Sequence, residues 1–380
     1  MVRIDFFICV QKRNRGLIHE SAVFSFDGRV YTVRMSDLAL YRKYRPKKFD
    51  EVLGQEHVVA ALEGSIKKGN IAHAYLFSGT RGTGKTSVAR ILAREIGCSA
   101  NDLYEIDAAS NRGIDDIREL REGVSTLPLE SKYKVYIIDE AHMLTKEAWN
   151  ALLKTLEEPP PHVVFILATT ELEKVPETIV SRCQVYSFRK PSRELLKNLV
   201  IRIAKAEGFT LESASADLIA MLGDGSFRDA QGILQKVIFS SKDKKVSIAE
   251  VEMVTGAPKA QLVNDCIAAV AKRDSAGAIA AVARAVADDI EMKTFMKLIL
   301  HKVRAVMLLR YAPEMEKQFT EQFGAEEFTF LKDLSRQSDV NISSAVLYEL
   351  LGAYQETGRS YIPQLPLELA LVAVCAPEAT

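Results

Sequence analysis

Residues Gly79-Thr-Arg-Gly-Thr-Gly-Lys-Thr86 carry the plainest chemistry in the chain. They match the pattern GxxxxGK[ST] in full. Glycine at Gly79, Gly82 and Gly84 lets the backbone curl until its N–H groups face phosphate oxygens, with Thr80, Arg81, Thr83 and Ser87 in the same wrap. Lys85 would reach the β- and γ-phosphates, and the Thr86 hydroxyl would take a magnesium ion. A chance glycine-rich turn has the same letters but not the same flanks. Here an apolar strand pattern at 74–78 feeds the loop and a helical pattern at 87–96 leaves it, so the segment is expected to bind a nucleoside triphosphate.

A second cluster is Val135-Tyr-Ile-Ile-Asp139-Glu140-Ala-His142, an apolar run that ends in two acids. Acids at the carboxyl end of a parallel strand face the ligand crevice. Asp139 would hold magnesium through water, and Glu140 would polarise the water that attacks the γ-phosphate. His142 is read as structural, or as backing the site from behind. Three further polar positions would complete a hydrolysis site: a hydroxyl at Thr169-Thr170 after the apolar run 163–168, Arg182 in Ser181-Arg-Cys183, and Arg228 in Gly225-Ser-Phe-Arg-Asp-Ala230. Taken singly, each reads more readily as a satisfied surface or salt-bridge residue.

The elements that must position these residues alternate between short apolar runs and helical periods from Tyr41 to about Pro191. That alternation is the signature of an α/β domain on a parallel sheet. Strands are expected at 74–78, 135–139 and 163–168, and helices at 58–67, 86–96, 114–121 and 146–156. The last is N-capped by Thr145 and stopped by a proline run. Residues 193–239 lose the strand signal and read as a small helical domain. A polar stretch at 240–245 reads as a linker to a third, all-helical domain that runs to about residue 375.

With 380 residues, 48% of them hydrophobic, the chain has room for two or three domains with large cores. Its 50 basic and 50 acidic residues exclude a generally basic, histone-like binding of nucleic acid but leave local basic patches open. The longest wholly apolar run, 369–376, is far too short to cross a membrane as a helix. Five scattered cysteines without a CxxC pair read as the reduced thiols of a cytoplasmic protein. Residues 1–34 carry six of the basic residues against three acidic ones, with alternating stretches at 22–26 and 29–33 that could pair across Asp27-Gly28. The functional protein is expected to begin at Met35, with residues 1–34 as an upstream, non-native extension, disordered or loosely attached. An accessory hairpin is the competing reading.

Several motifs stand together and in order: Tyr41-Arg-Lys-Tyr-Arg-Pro46, Phe49-Asp-Glu-Val-Leu-Gly-Gln-Glu-His57, the phosphate loop, Glu105-Ile-Asp-Ala-Ala-Ser110, Asp139-Glu140, Ala151-Leu-Leu-Lys-Thr-Leu-Glu-Glu-Pro-Pro160, Ala168-Thr-Thr170, Ser181-Arg-Cys183 and Gly225-Ser-Phe-Arg-Asp-Ala230. Over about residues 38–375 the chain resembles the gamma/tau family of bacterial DNA polymerase III, the AAA+ ATPases of the sliding-clamp loader. The resemblance implies a P-loop AAA+ core with a parallel sheet at 35–191, a small helical lid at 192–242 and an all-α collar at 243–375 that joins subunits into a five-membered ring. It makes Thr170 the sensor of the γ-phosphate, Arg228 a second sensor on the lid, and Arg182 the arginine finger of the adjacent subunit's site. Arg45, Pro46 and Val52 would line the adenine pocket. ATP and magnesium are the implied cofactors, and the implied partners are further loader subunits, the sliding clamp and primer–template DNA, with no membrane. DNA would be held through its phosphates, with Arg112, Arg118 and Lys154 as candidates.

Two departures from the family pattern matter. Many relatives carry a four-cysteine zinc module before the Glu105 stretch, whereas Cys98 here is followed by no further cysteine in that segment, so no zinc is expected. The chain also stops after the collar, without the longer form's tail that contacts helicase and polymerase. The missing zinc module also makes the sequence similar to the small subunits of replication factor C. A stator-like subunit that binds nucleotide without turnover and a different AAA+ DNA motor, such as a branch-migration helicase, are weaker candidates.

Overall fold

The computed structural model describes residues 5–14, 17–26, 29–34, 39–110, 120, 122–241, 243–316, 319–320, 323, 325–337 and 339–376, those before residue 39 by backbone alone. Strands β1 (Asp5–Asn14), β2 (Leu17–Phe26) and β3 (Arg29–Arg34) form an antiparallel sheet in that order. The pairing of β2 with β3 realises the alternation at 22–26 and 29–33, while the expected turn residues Asp27 and Gly28 lie outside the described residues. Strand β1, whose apolar half runs unbroken into a basic half, shows no alternation that would have marked it.

The next region runs α1 (Leu40–Lys43), α2 (Glu56–Lys67), β4 (Ala74–Ser78), α3 (Lys85–Glu95), β5 (Leu103–Asp107), β6 (Lys134–Asp139), α4 (Lys146–Glu157), β7 (Val163–Thr169), α5 (Glu177–Val180) and β8 (Gln184–Ser187). The five strands pair in parallel in the order β5-β6-β7-β4-β8, which is the expected α/β core. Every residue of β4 and β7 is buried. Alternate side chains of the central strands fall on opposite faces. Leu76, Ile138, Phe165 and Leu167 pack with Trp149, Leu152 and Leu156 of α4 on one face. Phe77, Ile137, Val164 and Ile166 pack with Leu62 of α2 and Val88, Ile91 and Leu92 of α3 on the other. Each such buried side chain contributes roughly 1.5–3 kcal/mol, so the two helical layers hold the sheet far more than strand propensity does. Helix α4 starts where Thr145 Oγ1 accepts the Ala148 N–H at 3.2 Å and ends at the prolines, as its sequence foretold.

Beyond the sheet come α6 (Arg193–Ala206), β9 (Thr210–Leu211), α7 (Ser213–Leu222), α8 (Phe227–Ser240), β10 (Lys245–Val246), α9 (Ile248–Thr255), α10 (Ala260–Ala271), α11 (Ser275–Ala287), α12 (Met292–Tyr311), α13 (Ala325–Arg336), α14 (Ser344–Thr357) and α15 (Leu365–Cys375). The polar 240–245 stretch ends in β10, which pairs in parallel with β9. One continuous apolar cluster runs through these helices from Leu196 to Cys375. Among the described residues no helix is long and apolar enough to cross a membrane.

Asp102 fastens the loop before β6. Its carboxylate accepts the N–H groups of Leu129 (2.6 Å), Glu130 (3.0 Å) and Ser131 (2.9 Å) and the Ser131 hydroxyl (2.6 Å). Burial alone would raise its pKa, but these four donors outweigh burial and hold the carboxyl well below its ordinary range. A depressed pKa stabilises the fold fully above the unfolded value, near 4, and the contribution drains away as pH falls through the folded one. Asp102→Asn should therefore cost about 2–3 kcal/mol at pH 7. In urea unfolding followed from pH 7 to pH 3, the gap between variant and parent should narrow on the acid side; a gap independent of pH would show that the charge is not what matters.

Candidate nucleotide site

The phosphate loop leaves β4 at its carboxyl end and enters α3 at Lys85, so the loop's N–H groups and the positive end of the helix converge on one point. Gly82 has a φ of 74°, and a Cβ there would come within 1.9 Å of Ser226 Oγ, so the loop can curl beneath α8 only with glycine at that position. The Gly82 carbonyl accepts the Phe227 N–H at 2.9 Å, which bonds the loop directly to the first turn of α8. Gly79 is equally tight, its notional Cβ lying 2.6 Å from the Phe188 carbonyl oxygen.

Lys85 is buried and donates to the carbonyls of Gly79 (2.7 Å) and Thr80 (3.0 Å). Burial lowers its pKa, and the neighbouring Glu140 and Asp139 oppose that shift. Thr86 Oγ1 donates to Asp139 Oδ2 at 2.7 Å, across the space between α3 and the end of β6. These are two hard oxygen donors side by side, which suits magnesium, an ion that takes one or two protein oxygens and keeps waters and phosphates for the rest. Asp139 Oδ1 accepts the backbone N–H of Glu140 at 3.0 Å. Glu140 itself sits in the left-handed region at φ 49°, a strained conformation for a non-glycine residue. Thr170 Oγ1, from the end of β7, donates to Glu140 Oε2 at 3.1 Å.

One cavity collects most of the expected residues. Arg45, Pro46, Val52, Arg81, Gly82, Thr83, Gly84, Lys85, Thr86, Ser87, Asp139, Glu140 and Arg228 all line it. Gly79 and Thr80 do not line it and instead hold Lys85 from behind the loop. Thr170 stands behind Glu140 rather than on the wall. Tyr41, Tyr44, Leu53, Leu199, Arg202, Phe227 and Gln231 also line the cavity. Of these, Tyr41 lies 4.9 Å beneath the Arg228 guanidinium, a cation–π contact between α1 and α8. Its motif was visible in the sequence, but the partner is far along the chain.

Arg182 lies elsewhere. It precedes β8, whereas the phosphate loop follows β4, and the two strands are parallel neighbours, so the arginine and the loop sit at opposite ends of the sheet. Its guanidinium donates to Glu157 Oε1 (2.8 Å) and to the Thr178 carbonyl (2.7 Å). The adjacent Cys183 thiol is pushed up to about 11 by burial, which makes it a poor nucleophile. Lys154 is exposed on α4, while Arg112 and Arg118 lie outside the described residues.

The arrangement gathers an ammonium, a helix N-terminus, a hydroxyl–carboxylate pair and a second carboxylate around one point, the equipment to bind a polyphosphate with a divalent cation and to draw a proton from water. A family model described as DNA polymerase III, delta subunit, matches residues 54–112 and 99–192, and one described as DNA polymerase III subunits gamma and tau domain III matches residues 246–379. The DNA polymerase III subunit tau of Bacillus subtilis is 35% identical over 366 residues, covering 90% of this chain and 64% of that protein. The DNA polymerase III subunit gamma/tau of Mycobacterium tuberculosis is 36% identical over 370 residues, covering 90% and 63%. The Escherichia coli subunit tau is 37% identical over 300 residues, covering 73% and 46%. The chain thus spans just under two thirds of the length of the Bacillus and Mycobacterium relatives. The chain belongs to the gamma/tau family of DNA polymerase III subunits.

Proposed function

We propose that the chain is an ATP-hydrolysing motor subunit of a sliding-clamp loader. The observation that carries this reading is the unbroken series Thr86, Asp139, Glu140, Thr170 across three neighbouring elements, with Lys85 beside it. A subunit that only bound nucleotide would need the loop and the lysine but no carboxylate held ready as a base.

In this reading ATP lies with its phosphates on the N-terminus of α3 and its base toward Arg45, Pro46 and Val52. Lys85 exchanges the carbonyls of Gly79 and Thr80 for phosphate oxygens. Thr86 and Asp139 hold magnesium, which when bound neutralises charge on the phosphates. Glu140 takes a proton from the attacking water, and Thr170 keeps that carboxylate aimed. Arg228 reaches the nucleotide from α8. Arg182 serves the site of a neighbouring subunit, since a strand's length separates it from its own. Residues 192–242 act as the lid and 243–375 as the collar of a ring-shaped hetero-oligomer working in the cytoplasm. The ring holds the clamp and primer–template DNA, with Lys154 among the phosphate contacts.

The test is steady-state ATPase of the chain assembled with its partner subunits, with clamp and primed DNA added singly and together. Turnover should rise most with both present. A rate indifferent to both would overturn the reading.

A further inference from the structure

His142 lies in the short helical turn Ala141–Met143 after the two acids, with its side chain only 7% exposed. Both ring nitrogens have polar neighbours. Nδ1 is 3.1 Å from Thr169 Oγ1 and 3.6 Å from Glu140 Oε2, and Nε2 is 3.3 Å from Glu171 Oε1. A buried imidazole needs a partner at each nitrogen, and here both partners, Thr169 and Glu171, are the immediate neighbours of Thr170.

For the neutral ring, counting hydrogens fixes who donates. Thr169 Oγ1 already accepts the Glu171 N–H at 3.0 Å, and its own proton is free to point at the imidazole. The Glu171 carboxylate, paired through its other oxygen with Lys174 at 2.7 Å, can only accept. The consistent assignment is Thr169 O–H to Nδ1 and Nε2–H to Glu171. The ring therefore ties the turn after β6 to both sides of Thr170, the residue whose hydroxyl holds Glu140.

We propose that His142 is the positioning residue of the hydrolysis site: by bonding Thr169 and Glu171 at once it fixes the turn that carries Thr170, and through Thr170 it holds Glu140 in its left-handed, water-facing pose. This rests on the hydrolytic reading of the site above. The inference does not require His142 to touch nucleotide, and it does not line the cavity. Its loss should thus act on the chemical step and not on binding.

The experiment compares His142→Leu, His142→Asn and His142→Gln in the assembled complex, reading kcat and KM for ATP with clamp and primed DNA, the Kd of a fluorescent ATP analogue, and the melting temperature. Asparagine can replace the Nδ1 contact to Thr169, and glutamine the Nε2 contact to Glu171. His142→Leu should lower kcat roughly 10- to 100-fold, the scale of a small misplacement of a reacting group, with KM and the analogue's Kd within twofold of the parent. At least one of the two amide variants should recover most of that loss. A His142→Leu enzyme with parental kcat would overturn the assignment. So would parallel losses of melting temperature, affinity and kcat that neither amide repairs, since that is the mark of a core residue. If the parent complex itself showed no turnover stimulated by clamp and DNA, the hydrolytic reading would fail first, before the variants were compared.

Discussion

Glu140→Gln is expected to leave ATP binding within twofold of the parent while cutting turnover by roughly two to four orders of magnitude, the usual contribution of a general base. The substitution keeps the acceptor that Thr170 addresses and the backbone bond to Asp139, so the pocket should keep its shape. What it removes is the ability to take a proton. Equilibrium binding of a fluorescent ATP analogue, set beside single-turnover hydrolysis in the assembled complex, separates the two effects. If the variant hydrolysed ATP at a tenth of the parental rate or faster, Glu140 would not be the base, and the role would have to move to another carboxylate.

The second large effect concerns Arg182. Arg182→Ala should lower turnover at an adjacent subunit's site by about a thousandfold or more, the scale of an arginine supplied in trans, and leave nucleotide affinity at its own site unchanged. The position of the side chain is the reason: the parallel sheet holds it at the end remote from its own phosphate loop. In the isolated chain its charge is engaged by Glu157, an exposed pair worth about 0–1 kcal/mol and so readily exchanged for a neighbour's phosphate. Complexes doped with rising fractions of Arg182→Ala subunits should lose activity in proportion to the interfaces that lack the arginine. Full activity in a complex built wholly from the variant would refute the trans role.

How much of this was legible before the fold was known depends on how local each feature is. The phosphate loop is contiguous, and β4, β6 and β7 are buried on both faces, so each announces itself as an apolar run. The edge strands did not. Leu103-Tyr-Glu-Ile-Asp107 and Gln184-Val-Tyr-Ser187 are half exposed, and their mixed composition carries neither an apolar run nor a clean alternation. Strands β9 and β10 owe their pairing wholly to tertiary packing between distant segments. The site shows the same division. Lys85, Thr86, Asp139 and Glu140 follow from motif and strand end, whereas the cavity wall of Leu199, Arg202 and Gln231 exists only because α6 and α8 dock over the loop. The Arg182–Glu157 pair and the two-sided bonding of His142 join residues whose spacing gives no sign that they meet.

The bond from Phe227 N–H to the Gly82 carbonyl has a mechanical consequence. Helix α8 belongs to the apolar cluster that runs unbroken from Leu196 to Cys375, so it cannot tilt alone without opening that core. A shift of the loop therefore meets α8 first, and α8 can follow it only together with the side chains packed against its buried face.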